Sequence, residues 1–205
     1  MRKKKKIIIW GSAGHGSAVL DLINNIGLSL FTFLDENPKA KSINKSRLIK
    51  GKKNISSFLE KKNVSKKFLY TVAIGSNQKI RLNIYNNLKK MGFKIPTLAH
   101  RTAYISRTAK INNGTQIFAN TNIGPNTIIG ESCIINNNSN VDHDCNLGDG
   151  VHIAPGAILC GGIKIGNNTL IGANSTILPY LKIGSNCIIG AGTVVTKNVK
   201  SGTIY

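Results

Sequence analysis

Residues 141–145, Val-Asp-His-Asp-Cys, set carboxylates on both sides of one imidazole, in a half of the chain (101–205) that holds only four acids. Histidine titrates near neutral pH, and an adjacent carboxylate can hold its tautomer and raise its basicity. Eighteen residues later the segment Cys160-Gly161-Gly162 offers the opposite chemistry, bare backbone N–H groups and no bulk. A base beside an N–H donor suits acyl transfer: the base takes a proton from an attacking amine or hydroxyl while the donor meets the developing oxyanion. The competing reading is a corner histidine paired with an acid for solubility.

Eighteen is the right interval because this half is periodic. Stepping by six from Ile105 to Val195 meets sixteen residues, all Ile, Leu or Val, without an insertion. Two residues before each lies a second slot, small or hydroxyl-bearing in thirteen cases, the exceptions being Val151, Ile163 and Leu181. Neither a helical 3.6 repeat nor a plain strand alternation has this form. One large and one small inward residue per six, with turn residues between, describes a short strand and a corner, and three such sides make an 18-residue parallel β-coil. His143 then lies at or near a corner, with the glycine pair one coil above it. Cys133, Cys145 and Cys187 occupy the small slot and read as packed thiols, with Cys160 beside Gly161. No CxxC spacing exists, so neither a disulfide framework nor a metal site is expected.

The first hundred residues alternate strand, glycine turn and helix, which argues for a parallel sheet of Rossmann type. A strand at Lys6–Trp10 leads into the turn 11–16 and a helix carrying Val19, Leu20, Leu22, Ile23 and Ile26. A second strand at 30–34 ends at Asp35-Glu36. A third, at 68–74, precedes Gly75-Ser76-Asn77 and a helix at about 78–90. In such sheets ligands bind beyond the carboxyl ends of strands, with phosphates at helix N-termini. The glycine spacing of 11–16 departs from the dinucleotide fingerprint and disfavours NAD or FAD.

Gly-Ser-Ala-Gly-His-Gly after the first strand, Phe33-Leu34-Asp35-Glu36 after the second, Ala73-Ile74-Gly75-Ser76-Asn77 after the third and Gly92-Phe93-Lys94-Ile95 before the repeats resemble the bacterial sugar acetyltransferases. These are the UDP-4-amino-sugar N-acetyltransferases and the related sialic acid O-acetyltransferases. The resemblance runs over nearly the whole chain. It implies a Rossmann-like nucleotide-sugar-binding domain (1–100) followed by a left-handed parallel β-helix of hexapeptide repeats (101–205). It implies acetyl-CoA as co-substrate, and a homotrimer with active sites between subunits.

Carried over residue by residue, the resemblance makes His143 the base, Asp144 its orienting acid with Asp142 in reserve, and Gly161 the oxyanion donor. His152, Ala173 and Ala191 match the acetyl-CoA site. Ala13, Gly14 and His15 match the turn that holds the diphosphate, Asp35 and Glu36 the uridine contacts, and Gly75 the third strand-end contact. The expected reaction is N-acetylation of a nucleotide-linked 4-amino-4,6-dideoxy sugar, with O-acetylation of sialic acid or a related sugar as the alternative.

Composition narrows the remaining classes. The chain carries 28 Lys+Arg against 8 Asp+Glu, a formal charge of +20, and residues 1–100 hold 21 of the basic residues with four acids. Charge of this kind suits a Lys-rich surface that also attracts anionic small molecules. A nucleic-acid module is disfavoured, because aromatic residues are not interleaved with the Lys runs as single-strand binders require. A zinc-dependent carbonic anhydrase on the same coil needs three imidazoles, where the repeats offer only His143 and His152. The longest early apolar run, residues 7–10, is far below the ~20 needed to span a bilayer. A cytoplasmic protein with reduced cysteines is expected.

Overall fold

The computed structural model describes residues 4–61 and 67–205. They form two compact units, one ending at Pro96 and the other spanning Thr97–Tyr205.

The first unit is built on a four-stranded sheet, β1 (Lys6–Trp10), β2 (Ser29–Asp35), β3 (Leu48–Lys50) and β4 (Leu69–Val72), in the order β3-β2-β1-β4. Every pairing is parallel. Ile7, Ile8 and Ile9 of β1 are fully buried, as a central strand covered on both faces requires. Helix α1 (Gly14–Asn25) buries Val19, Leu22 and Ile23. It stops where Gly27 turns left-handed, with φ 80, and the Leu28 N–H closes on the Ile23 carbonyl at 2.9 Å. Helix α2 (Lys52–Leu59) follows β3, and helix α3 (Gln78–Lys90) follows β4 with Asn77 as its N-cap, its side chain accepting from the Ile80 N–H. The strand order reverses between β1 and β4, the switch point where ligands bind in such sheets.

The second unit is the left-handed coil, with three parallel sheets of five, six and six two-residue strands. Each strand pairs with the one eighteen residues on, as Asn140–Val141 does with Ile158–Leu159. In chain order, face one contains Asn140–Val141, face two Asn146–Leu147 and face three His152–Ile153, before face one returns at Ile158–Leu159. The large slot forms one continuous core, in which Ile117 to Ile189 are almost wholly excluded from solvent. The small slot is polar yet satisfied: Thr127 Oγ1 donates to the Asp142 carbonyl at 2.7 Å and Ser175 Oγ to the Gly172 carbonyl at 2.7 Å. Cys133, Cys145 and Cys187 are buried there as free thiols. Burial pushes the Cys145 thiol above its ordinary pKa.

Fourteen successive corners, every sixth residue from Gly114 to Gly192, have positive φ. Most are Asn or Gly, the types that tolerate the left-handed region best. Six of the chain's 25 asparagines sit at these corners.

Candidate active site

His143 and Asp144 sit at the corner between faces one and two. Asp144 is one of the positive-φ corner residues, with φ 57. Its carboxylate Oδ2 lies 2.7 Å from His143 Nδ1, and Oδ1 accepts from Asn126 Nδ2, one coil below, at 3.1 Å. The Asp142 carboxylate does not compete for the ring, because its Oδ1 accepts the backbone N–H of His143 at 2.7 Å. The short side chain of Asp144 thus reaches the imidazole, and Asp142 fixes the backbone.

The two titrations shift in opposite directions. The hydrogen bond to Asp144 raises the His143 pKa above its ordinary value, with Asp142 adding a smaller field effect. The same bond, helped by that from Asn126, lowers the Asp144 pKa. An ionised carboxylate only accepts, so Nδ1 carries the proton and Nε2 keeps its lone pair. Sequence reasoning missed Asn126, although it lies eighteen residues before Asp144 and the repeat places it directly beneath.

Gly161 is stacked on the imidazole. A Cβ built there would fall on Nε2 and 2.5 Å from Cε1, so only glycine leaves the ring in place. Its neighbours use their N–H groups between coils, Cys160 to the Ile177 carbonyl at 3.1 Å and Gly162 to the His143 carbonyl at 2.9 Å. The Gly161 N–H donates to no acceptor among the described residues. Its column reads Pro125, His143, Gly161, Pro179; the prolines have no N–H and that of His143 is taken by Asp142. An imidazole Nε2 and an open N–H donor are thus neighbours, the arrangement acyl transfer needs.

The other expected residues of this unit lie elsewhere on the coil. His152 is on face three, paired in register with Ile134 and Leu170, its Nε2 3.4 Å from Asn136 Nδ2. Ala173 and Ala191 stack one coil apart at the corner between faces three and one. Within one chain, face one therefore separates the two alanines from His143 and Gly161, and His152 lies on face three.

In the first unit, a cleft of about 390 Å³ opens at the carboxyl ends of β1, β2 and β4 and gathers Ala13, Gly14, His15, Asp35, Glu36 and Gly75. Gly11 (φ 111) allows the chain to pass there, since a Cβ would meet the Ala73 carbonyl. No side chain caps α1 at Ala13, leaving a helix N-terminus suited to an anion. His15 lies against Gly75, whose added Cβ would be 3.3 Å from the ring. Asp35 is already engaged: Oδ2 accepts from the Ser12 N–H at 2.9 Å and Oγ at 2.7 Å, and Oδ1 from the Asn37 N–H at 3.0 Å. It fastens the turn, a role sequence reasoning missed because the Ser12 contact forms only in the folded turn. Glu36, paired with Lys52 at 3.6 Å, is the acid with more freedom to meet a ligand. Arg81, almost wholly buried, steadies the β4 end of the cleft by donating to the Ile74 carbonyl at 2.9 Å.

Among the described residues, no group of three or more His, Cys, Asp or Glu side chains is placed to hold a metal ion, and no helix is long and apolar enough to cross a membrane.

Residues 6–88 match the family model of the PglD N-terminal domain. The bacterial transferase hexapeptide model (six repeats) matches at 126–161, 144–179 and 162–197. The acetyltransferase domain of PglB from Neisseria gonorrhoeae FA1090, solved with acetyl coenzyme A, is 30% identical with a TM-score of 0.88, over 98% of this chain and 96% of that one. A histidine-to-asparagine mutant of perosamine N-acetyltransferase from Caulobacter crescentus, solved with CoA and GDP-perosamine, is 26% identical with a TM-score of 0.88, over 95% and 90% of the two chains. WeeI from Acinetobacter baumannii AYE is 28% identical with a TM-score of 0.85, over 98% and 96%.

Proposed function

The chain belongs to the bacterial sugar acetyltransferases in which a PglD-type N-terminal domain precedes a left-handed hexapeptide β-helix, and from that premise we propose that it acetylates the 4-amino group of a nucleotide-linked, UDP-activated 4-amino-4,6-dideoxy sugar, with acetyl-CoA as the second substrate. The observation that carries this reading is the His143 ring, held at Nδ1 by Asp144 with Nε2 against Gly161 beside an open N–H donor.

His143 Nε2 takes the proton from the 4-amino nitrogen as it attacks the thioester carbonyl. The C–N bond forms, the Gly161 N–H meets the charge on the carbonyl oxygen, and the C–S bond breaks. The imidazolium then returns its proton to the departing thiolate. No acyl-enzyme is needed. The cleft of the first unit holds the nucleotide, with the diphosphate against Ala13, Gly14 and His15, the base near Glu36, and Gly75 at the third strand end.

His152, Ala173 and Ala191 hold acetyl-CoA in this reading, but none of them lies at the corner that carries the base of the same chain. The two groups serve one reaction when a second copy supplies the donor side, and a homotrimer with sites between subunits meets that need. We place the reaction in the cytoplasm, in keeping with four free thiols.

A substrate panel tests the assignment. With acetyl-CoA present, the UDP-linked 4-amino sugar is acetylated fastest, its GDP counterpart more slowly, and free or CMP-linked sialic acid not at all. Transfer to sialic acid with none to the amino sugars overturns it.

The raised His143 pKa predicts a pH profile with a definite sign. Protonated imidazole persists to higher pH than usual, so kcat/KM rises with pH through a value above the ordinary ~6.5 of histidine. In Asp144→Asn that acid limb moves to lower pH, and the plateau drops by roughly tenfold to a hundredfold, less than loss of the base itself. An unmoved limb contradicts the role of Asp144.

A further inference from the structure

Of the fourteen positive-φ corners of the coil, thirteen are Gly, Asn, Asp or Ser. The fourteenth is Tyr180, at φ 61. A bulky aromatic residue there is an outlier, and such strain collects where a side chain has work to do. The ring fills no core position, since Tyr180 is 76% exposed.

Its placement relative to the reaction centre is specific. Tyr180 stands one coil above Gly162, and a Cβ on Gly162 would lie 2.5 Å from Cδ1 and 2.7 Å from Cε1 of the ring. The His143 ring rises from the coil below onto Gly161, and the Tyr180 ring descends from the coil above onto Gly162. The Tyr180 N–H donates to the Gly161 carbonyl at 2.9 Å and the Gly162 N–H to the His143 carbonyl at 2.9 Å, tying the three coils together. Base and exposed aromatic thus flank one bare glycine pair.

Resting on the function proposed above, we propose that Tyr180 is a substrate-contacting specificity residue whose ring stacks on the apolar face of the acceptor sugar as its amine meets His143. A flat aromatic face of this size matches a pyranose ring and gives contact area with little side-chain entropy lost. It favours a deoxy sugar, whose missing hydroxyl leaves more C–H surface toward the ring. The acetyl donor is a narrow chain and gains less from such a wall.

The test compares Tyr180→Asn and Tyr180→Phe. Asparagine suits a left-handed corner, so the Asn variant keeps its thermal midpoint or gains slightly. Its KM for the amino sugar rises about tenfold, the equivalent of ~1.4 kcal/mol, while kcat and the KM for acetyl-CoA change little. The Phe variant stays near wild type. Calorimetric binding of the UDP-linked amino sugar without acetyl-CoA shows the same loss in Tyr180→Asn, which separates this claim from any failure of turnover. Unchanged sugar affinity overturns the proposal, as does a rise confined to the acetyl-CoA KM. A change in assembly size would instead make the ring a contact between copies and also overturn it.

Discussion

Replacing His143 with Ala lowers kcat by about 10³-fold, inside the 10²–10⁴ that a positioned general base supplies. The amine then attacks without a group to take its proton, and the thiolate leaves without one to return it. KM for both substrates stays within about threefold, because the imidazole acts on the reacting atoms and binding energy comes from elsewhere. Gly161, Asn126 and the coil ladder do not depend on the ring, so the fold is unaffected. Steady-state rates at the pH plateau read this directly, and a variant retaining a third of the wild-type kcat contradicts base catalysis by His143.

The second large effect comes from a single methyl group. Gly161→Ala keeps the backbone N–H but puts Cβ onto the imidazole, 2.5 Å from Cε1. Something must move, and the half-exposed His143 ring is the group that can. A base displaced by about 1 Å costs on the order of 10²-fold in kcat. Gly161 is not among the positive-φ glycines, so alanine adds no backbone strain, and the loss of stability is at most ~1 kcal/mol. A large drop in kcat with a nearly unchanged thermal midpoint is the expected pair of results. Full activity in Gly161→Ala contradicts the close stacking on which the site rests.

The coil was legible because every hexad repeats the same physical demand, a large aliphatic residue inward and a small one two places before it. That period also stacked Gly161 over His143. What the period hid was the corner: the Asn, Gly and Ser residues at every sixth position were visible, yet asparagine reads as an ordinary solvent-facing residue until positive φ explains it. Tyr180 stands out only against that rule. In the first unit, β1 and α3 match their sequence patterns end to end, whereas β3 and α2 went unread. Leu48-Ile49-Lys50 is too short to show an alternation, and α2 is Lys-rich with Ile55 as its one buried residue.

Charge was the least local signal. Among the described residues, the cleft at the strand carboxyl ends is lined by Asp35, Glu36 and His15 but by no lysine, while Lys5, Lys6, Lys67 and Lys94 gather around Phe68 where β1 and β4 begin. In the proposed reading the basic half would act on an anionic nucleotide sugar through its field, with contact falling to backbone N–H groups and a helix N-terminus. Asp35 shows a second limit. A carboxylate at a strand end reads as a ligand contact, but the hydrogen bonds from Ser12 and Asn37 that occupy it depend on the folded turn.

Direct transfer to the sugar nitrogen is the central claim, and a single-turnover experiment tests it most directly. The protein is mixed with acetyl-CoA and the UDP-linked 4-amino-4,6-dideoxy sugar and quenched at successive times, and free CoA thiol, acetylated sugar and intact protein mass are followed together. CoA and a hydroxylamine-stable N-acetyl sugar appear in step, one for one, with no acetylated protein at any time. Accumulation of acetyl-protein, an acetyl ester on a hydroxyl, or CoA release without acetylated sugar contradicts the account.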